Sequence, residues 1–210
     1  MSRPILVIGD KNKSSWSLRP WLALKIAGVD FEEKLVFLDK KDTKANIKAV
    51  APGAAGKVPI YLDGDVVVWE SLAICETVAE TCPELWPAQR AARAHARAIA
   101  HEMHAGFLSL RKCCPFDLKK NLEGLTINPE AGADVYRVTR IWREARERFG
   151  FGGPYLFGAK PTIADCMYAP VCARIATYGI PVDDAARAYL DAILALPAMQ
   201  EWKAAALAEP

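Results

Sequence analysis

The chain has 210 residues, 52% hydrophobic and 25% charged, with 27 Lys and Arg against 25 Asp and Glu for a formal charge of +2. That composition is of a globular protein with one large or two small domains, and it excludes a disordered chain. So even a charge balance leaves no electrostatic footprint for nucleic acid or a membrane surface.

In chain order, Pro4 to Ile8 is a short apolar run ended by glycine and charges. It reads as a buried strand, not as a secretory signal. The stretch "NKSSWSLRPWLALKIAG", residues 12–28, predicts a helix from about Ser15 to Ala27 with Gly28 as its C-cap. Pro20 lacks an N–H and is expected within the first turn or so. Ser14 then falls in the loop before the helix, beside free backbone N–H groups and the positive end of the macrodipole. Two readings of these serines stand together. Serine is a preferred helix cap, and one would suffice; alternatively, the helix start holds an anion.

"FEEKLVFL" predicts a second strand, followed by a lysine-rich connection and the loop "APGAAG". "VPIYL" and "VVVW" flank "DGD", a hairpin signal, and "SLAICETVAET" reads as a helix. The order is βαβ followed by ββα, a small mixed sheet with helices on it. Proline at the start of a strand cannot donate to the sheet. A cis Val58–Pro59 bond would turn the Val58 backbone outward to pair with a bound peptide, as an added strand does; a trans edge proline is the alternative. Ser71 is placed to cap the next helix, and Glu70 offers a negative charge to an ammonium group.

The two prolines of "CPELWPAQ" mark a linker, and everything beyond reads as helical. Val135, Val138, Ile141 and Trp142 share one helical face. Thr162 and Asp165 in "PTIAD" form a variant capping box that serves folding. Six cysteines, at 75, 82, 113, 114, 166 and 172, form no CxxC pair. They suggest reduced thiols rather than a disulfide framework or a metal site, and a cytoplasmic location is expected. No apolar run approaches the roughly 20 residues a membrane span needs.

Taken together, "SSWSLRPWLALK", "KVP", "DGD", Glu70-Ser71 and "PTIAD" resemble a cytosolic glutathione transferase over essentially the whole chain. The serine-first segment is similar to the zeta class, which carries a cysteine where this chain has Trp16. The resemblance implies a thioredoxin-like domain over residues 1–82 and an all-helical domain over 83–210. It implies Ser14 as the catalytic hydroxyl with Ser15 beside it, and Val58, next to cis-Pro59, holding the cysteinyl backbone of glutathione. Glu70 and Ser71 would take the γ-glutamyl group. Lys44 would take the glycine carboxylate, with Lys40 and Lys41 competing for that role. The acceptor pocket would draw on Trp16, His104, Phe107, Arg111 and Cys114, and a homodimer is expected.

A free cysteine thiol has a pKa of about 8.5, so little is thiolate at neutral pH. A hydrogen bond from Ser14 and the helix dipole would favour the charged form, which then attacks an electrophile. Ser14 is thus a donor and not the nucleophile. Ser14 and Ser17 bracket Ser15 and Trp16 where a redox CxxC would stand, so disulfide exchange is not available there. The expected activity is transfer of a small apolar or organic-acid electrophile to glutathione. A glutathione-dependent isomerase of the maleylacetoacetate type, or a dehalogenase, differs only in the pocket. A non-catalytic partner-binding protein is the reading from another class.

Overall fold

In a computed structural model, which describes residues 3–54 and 56–210, the first part of the chain forms a four-stranded sheet with three helices. The elements are β1 (Ile5–Ile8), α1 (Ser15–Ile26), β2 (Glu32–Leu35), α2 (Thr43–Val50), β3 (Ile60–Asp63), β4 (Val66–Trp69) and α3 (Ser71–Thr81). Strand order is β2-β1-β3-β4. β1 pairs parallel with β2, Ile5 opposite Glu32, and antiparallel with β3, Ile5 opposite Leu62. The β3–β4 hairpin turns at Gly64, whose φ of +60° favours glycine.

A 3-10 turn, Pro83–Leu85, leads into helices α4 (Arg90–Ala105), α5 (Leu108–Cys113), α6 (Pro129–Phe149), α7 (Ile163–Thr177), α8 (Asp184–Leu194) and α9 (Pro197–Ala208). The architecture is a thioredoxin-like domain followed by an all-helical one, as the sequence patterns predict. None of these helices is long and apolar enough to cross a membrane. All six cysteines are free.

Three local expectations need correction. The lysine-rich connection after β2 is not irregular: Thr43–Val50 is helical. Its one buried residue, Ile47, packs with Val7, Val36 and Ile60 on the face of the sheet away from α1. Pro20 lies inside α1, beyond its first turn, because the helix already starts at Ser15. The missing N–H leaves the Trp16 carbonyl without its intrahelical donor. At α3, Glu70 occupies the cap position and Ser71 is the first helical residue, so Ser71 is not the cap.

One hydrophobic core runs through both parts of the chain, and α1 lies inside it. Leu18, Trp21, Leu22 and Leu24 are fully buried, and α1 packs on α3, α7 and α9. A helix apolar on every side is a buried helix. Each such side chain contributes about 1.5–3 kcal/mol by burial. Gly28, with φ +69°, ends the helix in the left-handed conformation expected of a C-terminal glycine.

The "PTIAD" capping box is present at the start of α7. Buried Asp165 accepts from Thr162 N at 2.7 Å, Thr162 Oγ1 at 2.9 Å, Leu156 N at 3.1 Å and Tyr189 Oη at 3.1 Å. One carboxylate therefore ties the α7 cap, the preceding loop and α8. Truncation leaves these buried donors unpaired, a loss of about 3–5 kcal/mol. Asp165→Ala is expected to lower the urea midpoint accordingly, read by circular dichroism; a shift below about 1 kcal/mol would show that the cap is dispensable.

Candidate functional site

The β1–α1 loop presents the serines, and the helical domain holds that loop. Backbone N–H groups of Lys11 and Asn12 donate to the Glu209 carboxylate at 2.6 and 3.0 Å. The Asn12 side chain accepts from Leu118 N at 2.8 Å and Lys119 N at 3.0 Å, while Trp202 Nε1 donates to Lys11 O at 2.9 Å. Ser14 follows as the N-cap of α1, its Oγ accepting from Ser17 N at 3.3 Å. The Ser14 hydroxyl lies 2.7 Å from Ser17 Oγ, which also accepts from Gly9 N at 3.1 Å. Ser14 is thus a cap, and it also lines the cleft beside the helix.

Ser14 and Ser15 have different surroundings. Ser15 accepts from Arg174 Nη2 of α7 at 3.2 Å, and the same guanidinium donates through Nε to Cys114 O at 2.9 Å. Ser15 ties the helix start to the helical domain, whereas Ser14 faces a cavity.

A cavity of about 160 Å³ is lined by Trp16, Lys57, Val58, Pro59, Trp69, Glu70 and Ser71. The Val58–Pro59 bond is cis. Glu70 has φ +71°, a conformation that costs a non-glycine residue about 1–3 kcal/mol and clusters at functional sites. Ser71 is 1% exposed and its hydroxyl has no partner among the described residues. An unpaired hydroxyl at a helix start, beside a carboxylate, is suited to a ligand that carries both an anion and an ammonium group.

Next to it, sharing Trp16, Lys57 and Val58, is a cleft of about 560 Å³ that contains Ser14. Lys13, Lys40, Lys41, Lys44 and Lys57 line it with Leu38 and Ile47. Lys44, Lys40 and Lys41 thus all reach the same cleft. This surplus of ammonium groups over the single acid Asp39 favours anionic ligands.

The residues expected for the acceptor pocket are divided. Trp16 is at the wall of both cavities. Arg19 and Arg111 place their guanidinium carbons 4.2 and 4.6 Å from its ring centroid. Arg111 Nη2 donates to Met103 O and His104 O at 2.6 and 2.8 Å, so this arginine supports Trp16. His104 packs edge-on to Trp16 at 5.2 Å, with Nε2 3.7 Å from Glu70 Oε2. It borders the Glu70 end of the site. Burial, then Arg19, holds its pKa below the ordinary value, against the pull of Glu70.

Phe107 and Cys114 are core residues, 8% and 0% exposed. Burial first, then Cys113, pushes the Cys114 thiol up to about 11, which leaves it protonated and inert. The resemblance implies that both line the acceptor pocket, but the chain breaks at Gly106 and Phe107 turns inward as the cap of α5, with φ +61°. Two residues were missed. Ser17 supports Ser14, and Arg19 is fully buried with Nε and Nη1 unpartnered among the described residues. The visible signal for Arg19 was a charge inside the otherwise apolar "LRPWLAL".

Comparison with known proteins places this geometry. Residues 13–81 match the family described as glutathione S-transferase, N-terminal domain, and residues 129–202 its C-terminal domain. A probable maleylacetoacetate isomerase of Caenorhabditis elegans is 39% identical over 110 residues, 51% of this chain and 50% of that protein. The chain therefore spans about half the length of that curated relative. Among solved structures, a glutathione transferase homolog from Burkholderia GL BGR1 with bound glutathione superposes at TM-score 0.71 and 23% identity, covering 99% of this chain and 100% of that one. A Bombyx mori glutathione S-transferase reaches TM-score 0.75 at 20% identity, over 98% and 94% of the two chains. With both family domains matched in order and the fold shared end to end, the chain belongs to the glutathione S-transferase family.

Proposed function

We propose that this chain binds glutathione across the two cavities and transfers a small electrophile to its sulfur. The observation that carries the reading is the buried, unpartnered Ser71 hydroxyl beside Glu70, in the same cleft system as Ser14. Glu70 pairs with the ammonium of the γ-glutamyl group, and Ser71 with the α3 N-terminus takes its carboxylate. Val58 offers backbone to the cysteinyl unit next to Pro59. Lys44 holds the glycine carboxylate from the lysine-lined side.

What glutathione supplies is a thiolate that attacks the electrophile. Ser14 donates its hydroxyl hydrogen to that sulfur, and the N-terminal end of α1 adds positive potential. Both stabilise the charged form. Trp16, braced by Arg111 and Arg19, walls the acceptor side. A homodimer and a reducing, cytoplasmic setting for the free thiols belong to the same proposal.

Isomerisation is the second reading, favoured by the likeness to a probable maleylacetoacetate isomerase. The two readings share every glutathione contact and differ in the product. A transferase consumes glutathione, while an isomerase returns it.

Calorimetric titration of glutathione into wild type and Ser14→Ala, with the ultraviolet thiolate band followed against pH, tests the reading. One charge-assisted hydrogen bond is worth about 1.5–3 kcal/mol, or roughly one to two pKa units. The variant is expected to bind glutathione as wild type does, with the bound thiol moved up by that amount toward about 8.5 and kcat/KM lowered about 100-fold. An unchanged thiol pKa would leave Ser14 as a helix cap alone. Failure of wild type to bind glutathione would favour the non-catalytic reading.

The His104–Glu70 contact adds a pH dependence. Because His104 titrates below the ordinary imidazole value, it is neutral at pH 7 and protonates only as the solution becomes clearly acidic. Its charge then competes with the substrate ammonium for Glu70. KM for glutathione is expected to rise as the pH falls through the lowered His104 titration in wild type and to stay flatter in His104→Gln. Parallel pH profiles would remove His104 from this role.

A further inference from the structure

Two hydroxyls meet at the start of α1, and only one proton can lie on the line between them. Ser14 and Ser17 Oγ are 2.7 Å apart, with the Ser14 hydroxyl donating to Ser17. Ser17 is fully buried and does not reach the cleft, while Ser14 is 4% exposed and lines it. Ser17 Oγ also accepts the Gly9 N–H at 3.1 Å, and Ser14 Oγ accepts the Ser17 N–H at 3.3 Å.

Proton counting separates two arrangements. When Ser14 donates to Ser17, the Ser17 oxygen already holds two incoming hydrogens, and its own O–H has no acceptor among the described residues. The Ser14 proton is then also unavailable to a ligand. When both hydroxyls rotate, Ser17 donates to Ser14 Oγ and keeps the Gly9 N–H as its acceptor contact. Ser14 then accepts from the Ser17 O–H and N–H together, and its own proton points away from both. A hydroxyl has one donor and two acceptor positions, so this second arrangement uses all of them. It needs an acceptor outside the pair, on the cleft side of Ser14.

We propose that Ser17 is a positioning residue for the glutathione thiolate: its hydroxyl reverses its hydrogen bond to Ser14 when the sulfur arrives, releasing the Ser14 proton to the sulfur. The inference rests on the reading of Ser14 as the thiolate's donor. No proton leaves either oxygen and no bond other than the hydrogen bond changes. Gly9 N–H anchors Ser17, so the reversal costs no side-chain movement. The reversed hydrogen bond also polarises the Ser14 O–H, strengthening its donation to the anion.

The experiment is a double-mutant cycle on the bound-thiol pKa, with Ser14→Ala, Ser17→Ala and the double variant, supported by glutathione KM and kcat. Ser17→Ala leaves the Ser14 proton free but no longer oriented or polarised by a donor, and is expected to raise the bound-thiol pKa by about one unit and lower kcat about tenfold, with KM for glutathione little changed. In the Ser14→Ala background the same substitution is expected to shift nothing further, because Ser17 acts only through Ser14. Ser17→Thr, which keeps the hydroxyl, is expected to restore the wild-type pKa.

Equal shifts in both backgrounds, or a wild-type pKa in Ser17→Ala, overturn the proposal. If Ser14→Ala itself leaves the thiol pKa unchanged, the reading of Ser14 fails, and the role of Ser17 falls with it. Should Ser17→Ala not fold, Ser17→Cys fills the same space with a thiol, a weak donor in place of the hydroxyl. The same one-unit rise is expected there, and its absence counts against the proposal equally.

Discussion

Everything at the site depends on α1 being buried along most of its length. A helix whose Leu18, Trp21, Leu22 and Leu24 are each fully enclosed cannot rotate or slide without opening the core of both domains. Its N-terminus is therefore a fixed point, and Ser14, Trp16, Ser17 and Arg19 sit at or near that end. The sheet fixes the other half. β3 and β4 deliver Val58–Pro59 and Glu70–Ser71 to the same end of the sheet, where Trp16 of α1 joins them. The thioredoxin-like domain thus brings together an N-capped helix, an open backbone segment and a second helix start, none close in sequence.

The helical domain does more than flank this arrangement. The loop just before Ser14 has its polar groups taken by Glu209, Leu118, Lys119 and Trp202, all from beyond the linker. Arg174 reaches from α7 to Ser15, and His104 from α4 to Glu70. Both ends of the site, at the start of α1 and at Glu70, therefore carry a contact from each domain. A shift between domains would move the Ser14 end and the Glu70 end of the site together.

Much of this was legible because the signals were local. The DGD hairpin, the Gly28 stop and the Thr162–Asp165 box each arise from chemistry within a few residues. The helix α2 was not legible: its only buried side chain is Ile47, and one buried position in eight residues defines no period. Phe107 and Cys114 were misplaced for a related reason. Their segment reads as continuous helix, and nothing local announces that Phe107 adopts a left-handed conformation and turns into the core. The Ser14–Ser17 contact was visible only as two serines three apart, which capping alone accounts for. Their 2.7 Å separation and the competing Gly9 amide are tertiary facts.

Arg19 shows what burial can serve besides stability. A fully buried guanidinium with two nitrogens unpartnered among the described residues is costly, and burial followed by repulsion from Arg111 and Arg174 pulls its pKa well down. The stack against Trp16 at 4.2 Å offsets part of that cost. Burial likewise brings Arg174 down to about 10, still charged at neutral pH. These arginines lie behind the start of α1, where the helix dipole is already positive. Their field adds to that dipole with little screening by water, and it favours an anion at the cleft in front of them. The arrangement is costly for folding and suited to holding an anion at the helix start.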